Sequence, residues 1–343
     1  MKTWKIGIIG AGLIADFHAR AVGDLEHAQV VAICDNGSGK ADELAKKYQC
    51  EAFHDYKTLL EQPLDLIMIA SPSGAHMEPA ILAAEKGIHV LCEKPLDVTL
   101  ERIDRMIEAH QNHGTRLGGI FNFRYDEVTP VIKKAIDEKR LGKITYAAVH
   151  VPWWREESYY QDSWHGTKKL DGGGALMNQS IHMVDLLGYL MGPLESLSAF
   201  KATSAHQIEA EDLATAIVKF RNGALGYIFG TTAAYPGQFR RLELMGTEGT
   251  IVQVDNSIAV WDFKNKKEGD EEILKKYGMV EGGGGVSNPG AIRHQNHTEN
   301  LRAFIDAVES GKPFAIDGKE ARKAVEIILS IYKSAEEGKI ITF

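Results

Sequence analysis

The sequence predicts an α/β domain built on a doubly wound parallel sheet, followed by an α+β domain with a large, open, mostly antiparallel sheet. Three observations predict it. A glycine-rich turn joins a strand-like run to a helix-like run within the first fifteen residues. Strand-like and helix-like runs then alternate up to about residue 120. From about residue 125 the rhythm changes to successive strand-like runs joined by short turns. We divide the chain into residues 1–123 and 124–343, with the last helix able to pack back toward the first domain. Two domains also suit a length of 343 residues.

Lys5-Ile6-Gly7-Ile8-Ile9 reads as a short buried strand, and Gly10-Ala11-Gly12-Leu13-Ile14-Ala15 follows at once. Gly10 permits a tight strand-to-helix turn. Gly12 lets a pyrophosphate approach the backbone, and Ala15 lets the helix pack close to the strand. The helix start, with Leu13 and Ile14 in its first turn, offers N–H groups and partial positive charge to phosphates. Similar loops serve other cofactors, so context decides. A second apolar run, Gln29 to Cys34, ends in Asp35, about 20 residues beyond the glycines, where a carboxylate can accept from ribose hydroxyls. It would repel a 2′-phosphate. Asn36, Gly37, Ser38 and Gly39 supply no arginine to offset that, and Lys40 reads as the opening of a surface helix. NAD is therefore expected over NADP. By itself Asp35 is better read as an ordinary strand-end or turn residue.

The remaining strand-like runs of this half are 65–70, 88–92 and a weaker 116–121, with helix-like runs at Gly39–Tyr48 and Met77–Glu85. In an open parallel sheet the ligand lies beyond the carboxyl ends of the strands. Ser71-Pro72-Ser73 and Ala75-His76 follow one strand and are expected beside the cofactor, though Ser73 also suits a helix N-cap. Glu93-Lys94-Pro95 follows the next. Pro95 biases Lys94 toward extended geometry, which can aim its ammonium into the cleft. The plainer reading of such a lysine is a solvated one.

The second half reads as a helix at 128–140, a strand at 143–152, a long loop and a helix at 174–191. Strand-like runs follow near 194–204, 211–221, 225–235, 239–246, 250–254 and 257–263, with turns such as Arg221-Asn222-Gly223. Two helices close the chain, His297–Ser310 and Lys319–Glu336, with Gly311 and Gly338 as C-caps. Gly282 to Gly285 reads as a flexible loop. Ile217, Val218, Phe220, Leu225, Tyr227 and Phe229 put apolar groups on both faces of the sheet. That predicts a homodimer or homotetramer paired through it.

On the helix after Gly172-Gly173-Gly174, the residues Asn178, His182 and Asp185 fall at i, i+4 and i+7, one stripe. Leu176, Ile181, Val184 and Leu187 cover the rest, so the helix is buried and its polar stripe needs partners or a cavity. A hydrogen-bonded core histidine fits the same pattern. The loop from Pro152 through Trp153, Trp154, Arg155, Tyr159, Tyr160 and Trp164 to His165 mixes rings with hydrogen-bonding groups, which suits a sugar. Half of these rings are expected to anchor the loop. Arg155 or Lys168 can pair with a carboxylate.

The composition is that of a globular chain, 44% hydrophobic and 25% charged. A net charge of −8 with no basic cluster argues against nucleic acid. No apolar run reaches the ~20 residues of a membrane span. The sequence enters a strand at once, without a signal-peptide pattern. Three dispersed cysteines form no disulfide framework or zinc knuckle. A cytoplasmic location is expected. Histidine and carboxylate spacing implies no metal.

Taken together, Gly10-Ala11-Gly12, Glu93-Lys94-Pro95, Gly172-Gly173-Gly174 with His182 and Asp185, and the tail Gly318 to Glu326 resemble the Gfo/Idh/MocA oxidoreductases over the whole chain. That family takes its name from glucose–fructose oxidoreductase, inositol dehydrogenase and a rhizopine-catabolism protein. The resemblance implies that Lys94 hydrogen-bonds the reacting hydroxyl and lowers its pKa, and that His182 is the general acid/base during hydride transfer. Ser71, Pro72, His76, Glu93 and Lys94 would join Gly10, Gly12, Leu13, Ile14 and Asp35 at the cofactor. Arg124, Trp154, Arg155 and His165 would join Lys94, Asn178 and His182 at the substrate. The family usually has aspartate at Asn178, and arginine where His165 stands. The Asn-Gln-x-Ile-His pattern resembles a branch with nucleotide-sugar uronate 3-dehydrogenases and relatives acting on other pyranosides. The implied activity is NAD-dependent oxidation or reduction of a secondary hydroxyl on a pyranose, glycoside, nucleotide-sugar uronate or inositol. An NAD-dependent glycosidase with internal redox and a non-catalytic NAD- and sugar-sensing regulator are the alternatives.

Overall fold

The computed structural model describes residues 2–161, 163–279 and 294–343. The expected loop at Gly282 to Gly285 lies outside them. The chain forms two compact units. One comprises Met1–Asn122, Lys169–Gly172 and Ile292–Val325; the other comprises Phe123–Lys168, Gly173–Ala291 and Glu326–Phe343.

The first unit holds a six-stranded sheet. Its strands are β1 (Trp4–Ile9), β2 (Ala28–Cys34), β3 (Glu51–Phe53), β4 (Leu66–Ile69), β5 (His89–Cys92) and β6 (Leu117–Gly119), in the order β3-β2-β1-β4-β5-β6. All neighbours pair in parallel. Chain order reverses at β1, between β2 and β4, and that switch point is where such sheets receive a dinucleotide. Ile6, Ile8, Leu66, Ile67, Met68 and Ile69 are fully buried, as a sheet covered on both faces requires. The helices α1 (Leu13–Gly23), α2 (Lys40–Tyr48), α3 (Tyr56–Leu59), α4 (Met77–Glu85) and α5 (Leu100–Asn112) lie between the strands in sequence. β3 was not foreseen, because Glu51-Ala52-Phe53 is too short to show alternation. Ser73 is not an N-cap: it is buried at the start of a 3-10 turn, Ser73–Ala75, and makes no capping bond.

The second unit is built on an eight-stranded sheet. After α6 (Val128–Asp137) come β7 (Ile144–Pro152), α7 (Ile181–Met191), β8 (Leu194–Ala202), β9 (Leu213–Phe220), β10 (Leu225–Thr231), β11 (Arg241–Gly246), β12 (Gly249–Val254), β13 (Ser257–Phe263) and α8 (Asp270–Tyr277). α9 (Gln295–Ser310) returns to the first unit and packs on α1. α10 (Gly318–Glu337) and β14 (Ile341–Thr342) end the chain. The sheet order is β13-β12-β11-β7-β10-β9-β8-β14. Only β7 and β10 pair in parallel. Along β9, Ala214, Ala216, Val218 and Phe220 face the core while Thr215, Ile217 and Lys219 face out. α7 packs on β7.

One helix departs from the expected pattern. The run 174–191 is not a single α-helix: Ala175–Ser180 forms a π-helical turn, and α7 begins only at Ile181. Asn178 therefore sits in the π turn while His182 and Asp185 sit on α7, so the i, i+4, i+7 stripe of a regular helix does not apply. Among the described residues no helix is long and apolar enough to cross a membrane.

Candidate active site

In the first unit the glycine turn has the form its sequence demands. Gly10 lies at φ 110°, and a Cβ there would stand 2.4 Å from the Ala70 carbonyl oxygen. Gly12 is the extended N-cap of α1 and brings no side chain of its own to that helix start. Among the described residues, a Cβ at Gly12 would meet nothing within 4 Å. Leu13 is exposed and Ile14 half-buried, while Ala15 is buried beneath them. A helix start that glycine caps without a side chain, with room for a ligand among the described residues, fits a pyrophosphate.

Asp35 is more occupied than expected. Its Oδ1 accepts from the Gly37 N–H at 2.8 Å and faces His54 Nδ1 at 3.2 Å. Its Oδ2 accepts from Ser38 Oγ at 2.6 Å and the Ala41 N–H at 3.0 Å. A carboxylate has about four lone-pair sites, so the set is full. Burial raises the Asp35 carboxyl, but these donors outweigh it and hold the group well below the usual range. Of these partners, Ser38 and His54 are side chains and Gly37 and Ala41 are backbone N–H groups.

His76, expected at the cofactor, is a buried strut. Its Nε2 lies 2.8 Å from the Ser71 carbonyl and its Nδ1 lies 3.0 Å from that of Pro95. It ties the loop holding Ser71 and Pro72, both half-buried, to the loop after β5. Glu93 also turns inward. His18 Nε2 on α1 stands 3.0 Å from Glu93 Oε1, and His297 Nε2 on α9 stands 3.9 Å from it. Burial raises the Glu93 carboxyl, yet His18, His297 and Lys94 together bring it down to about 2. Glu93 Oε2 accepts from the Lys94 backbone N–H at 3.1 Å, so the cluster fixes the chain at the half-buried Lys94. The Lys94–Pro95 peptide is cis.

In the second unit Glu211 sets the start of the π turn. Its carboxylate accepts from the N–H groups of Gly174 (3.1 Å) and Leu176 (2.8 Å) and from the Tyr332 hydroxyl (2.8 Å). A Cβ on Gly174 would fall 1.9 Å from the Glu211 carbonyl oxygen, so only glycine fits. The turn carries Asn178, whose Oδ1 accepts from Gln179 Nε2 at 3.1 Å. Gln179 Oε1 in turn accepts from Arg155 Nη2 at 2.7 Å. Arg155 is buried, and its guanidinium lies over the rings of Trp153 and Tyr159. Burial lowers its pKa from the ordinary arginine value.

His182 is half-buried, with its ring 4.7 Å from that of Phe123. The Arg240 guanidinium lies 3.4 Å from the same phenyl ring. Arg240 is held by Asp126 at 2.8 Å and by Asn256. Arg124, an expected substrate contact, grips Asp185 with two bonds of 2.7 and 2.6 Å. That engages the third member of the expected stripe elsewhere. The Trp154 indole donates to Glu156, and its ring meets His206 and Tyr235. His165 stacks on Trp164 and lies tilted against Tyr159. Lys168 is exposed.

Residues 4–120 match the model of an oxidoreductase family with an NAD-binding Rossmann fold. Residues 131–252 match the GFO/IDH/MocA C-terminal domain. An uncharacterized oxidoreductase, YrbE of Bacillus subtilis, is 31% identical over 98% of this chain and 96% of its own. This chain belongs to the Gfo/Idh/MocA family. As a member it is an oxidoreductase, and its cofactor is NAD. The myo-inositol 2-dehydrogenase of Thermotoga maritima is 28% identical over 98% of each chain. The WlbA dehydrogenase of Bordetella pertussis, solved in complex with NADH and UDP-GlcNAcA, superposes with a TM-score of 0.90. It is 31% identical, covering 100% of this chain and 98% of its own.

Some important residues of this family member gave no signal in its sequence. Arg240 sits in Gln238-Phe239-Arg240-Arg241, where either arginine reads as solvated. His18 and His297 are 279 positions apart, and only the fold brings both to Glu93. Glu211 and Asp212 form an acidic pair of which nothing in the local pattern shows burial. No cluster of His, Cys, Asp or Glu among the described residues could hold a metal.

Proposed function

We propose that this enzyme moves hydride between NAD and a secondary hydroxyl of a pyranose, glycoside, nucleotide-sugar uronate or inositol. One observation supports this most: the likeness, over the full chain, to a WlbA dehydrogenase solved with NADH and UDP-GlcNAcA. NAD prevails over NADP because Asp35 would repel a 2′-phosphate. Bound NAD supplies the hydride acceptor in oxidation and NADH the donor in reduction. Lys94 donates a hydrogen bond to the reacting hydroxyl and stabilises its developing negative charge. His182 takes the hydroxyl proton during oxidation and returns it during reduction. Asn178, an amide, orients the substrate without exchanging a proton. Glu93, clamped by His18 and His297, keeps the Lys94 backbone in place.

A spectrophotometric screen for NADH formation across sugars, glycosides, inositols and nucleotide-sugar uronates tests the reading. A secondary-alcohol substrate oxidised with matched NADH release supports it. NAD binding with no oxidation of any class, or glycoside cleavage without net NADH, overturns it.

A further inference from the structure

Arg240 is a buried cation to which the reaction read above gives no task. Its guanidinium is gripped from two sides. Nη2 donates to Asp126 Oδ2 at 2.8 Å and to Asn256 Oδ1, and Nε donates to Asp255 Oδ1 at 3.1 Å. Asp126 is buried as well, and Asp255 and Asn256 form the turn between β12 and β13. A rigid planar fork held in this way resists rotation. Its central carbon is thereby fixed over the Phe123 ring, 3.4 Å from the ring centre and well inside the ~6 Å reach of a cation–π contact. The Phe123 ring in turn lies 4.7 Å from that of His182, inclined by 34°. Nη1 also reaches Met183 Sδ at 3.9 Å, on the residue next to His182 in α7. An ion pair with Asp126 alone would need none of this. Here the cation lies against the ring that packs on the histidine.

We infer that Arg240 is a positioning residue: it pins the phenyl ring of Phe123, and Phe123 holds the imidazole of His182 for proton transfer. This rests on the reading above that His182 is the general acid/base. An imidazole turns about its two side-chain torsions, and a proton passes well only when the ring nitrogen is held within hydrogen-bond reach of the hydroxyl. The phenyl ring makes no hydrogen bond, but it fills space into which the imidazole would otherwise tip. The cation keeps the phenyl ring from tipping in its turn, because a face that leaves the guanidinium loses its attraction. Lysine is no substitute. A point charge on a flexible stem can satisfy Asp126, but it cannot serve Asp255 and Asn256 at once while lying over the ring.

A double-mutant cycle tests the route. Arg240→Lys keeps a charge beside Asp126 and removes the fork; Phe123→Leu keeps the ion pairs and removes the ring. Each should lower kcat about tenfold, with KM and NAD Kd within about twofold of wild type, since what slips is the group that moves the proton. In the Phe123→Leu background, Arg240→Lys should cost less than about a further twofold, because its path to His182 is already gone. The readout besides turnover is the His182 imidazole resonance in a carbon–proton correlation spectrum of the NAD complex, assigned by its disappearance in His182→Gln. Arg240→Lys should shift it when Phe123 is present and leave it in place in the Phe123→Leu background. All assays run well below the lowest Tm, so a loss of stability alone moves neither kcat nor the resonance. Where Arg240→Lys fails to fold, Arg240→Gln with Asp126→Asn takes its place, because the two charges then leave together. Losses that multiply, to about a hundredfold in the combined variant, overturn the route through Phe123. An unmoved resonance with kcat within about twofold of wild type leaves Arg240 a structural ion pair and overturns the inference. An enzyme that oxidises no sugar but shows the expected shifts overturns the functional reading and leaves the positioning of the His182 ring standing.

Discussion

At the scale of single residues, Asp35 and His182 carry the sharpest expectations. Asp35 holds the turn after β2 through four accepted contacts, and on the function proposed above a ribose would exchange with Ser38 or His54. Asp35→Ala should therefore do two things. Loss of a charged ribose acceptor, worth roughly 1.5–3 kcal/mol, should raise the NAD Kd about ten- to a hundredfold. The NADP Kd should change less, because a repulsive charge also leaves, so the gap between the cofactors narrows. Loss of the turn contacts should lower stability by about 0.5–2 kcal/mol. Fluorescence titration of both cofactors checks the first, and a melting curve the second. A wild type that prefers NADP contradicts the argument. For His182→Ala, turnover should fall by ~10²–10⁴-fold with NAD Kd nearly unchanged. Lys94→Ala should also suppress turnover, and the two losses should not add if both act on one hydroxyl. If His182 only packs against Phe123, its loss will lower Tm and leave kcat within a few-fold.

At the scale of elements, the parallel half was legible because its strands are buried on both faces and read as continuous apolar runs. The antiparallel half was legible because β9 alternates. What escaped was set by partners distant in sequence. Nothing in Ala175 to Ser180 shows that Glu211 will pull the chain into a π turn. Nothing near Glu93 shows that a histidine on α1 and another on α9 will close on it. That cluster also predicts a pH dependence. Burial is the main cause that lowers His297 to about 4, and His18 adds to it. Burial likewise brings His110 to about 4. Each histidine takes up its proton near pH 6.5 when unfolded but near 4 when folded. Between those values the unfolded state binds more protons, so stability is lost as the pH is lowered through that window. Each difference corresponds to about 3 kcal/mol at most. Glu93, ionised down to about 2, adds its own loss below the unfolded value of 4.5. Tm should decline from pH 6.5 to pH 4, and His297→Gln should flatten the decline. A Tm constant across that range would show that these groups titrate alike in both states.

At the scale of the whole molecule, the outer face of the eight-stranded sheet remains to be accounted for. Phe200, Ile217 and Leu225 are 78%, 70% and 54% exposed. Beside them runs a line of touching rings: Tyr146 against Tyr227 at 6.3 Å, His150 against Tyr227 at 6.4 Å and His150 against Phe229 at 4.5 Å. Scattered apolar residues on a surface need no partner, but a contiguous band of them does. Covering a large apolar side chain fully is worth about 1.5–3 kcal/mol. Six or so such groups, partly covered, are enough to offset the lower range of the ~4–15 kcal/mol cost of association. A second copy of the same face is the simplest cover, because a two-fold axis sets a patch against itself. We therefore expect a homodimer, or a tetramer that contains this pair, at micromolar concentration. Ile217→Lys combined with Phe229→Lys should release the monomer, since each charge would be buried without a partner. Ile217 is exposed and Phe229 half-buried, so the monomer should keep its fold and NAD Kd while losing Tm. Light scattering of the wild type and the double variant decides the matter. A monomeric wild type would show that this face is not paired with itself.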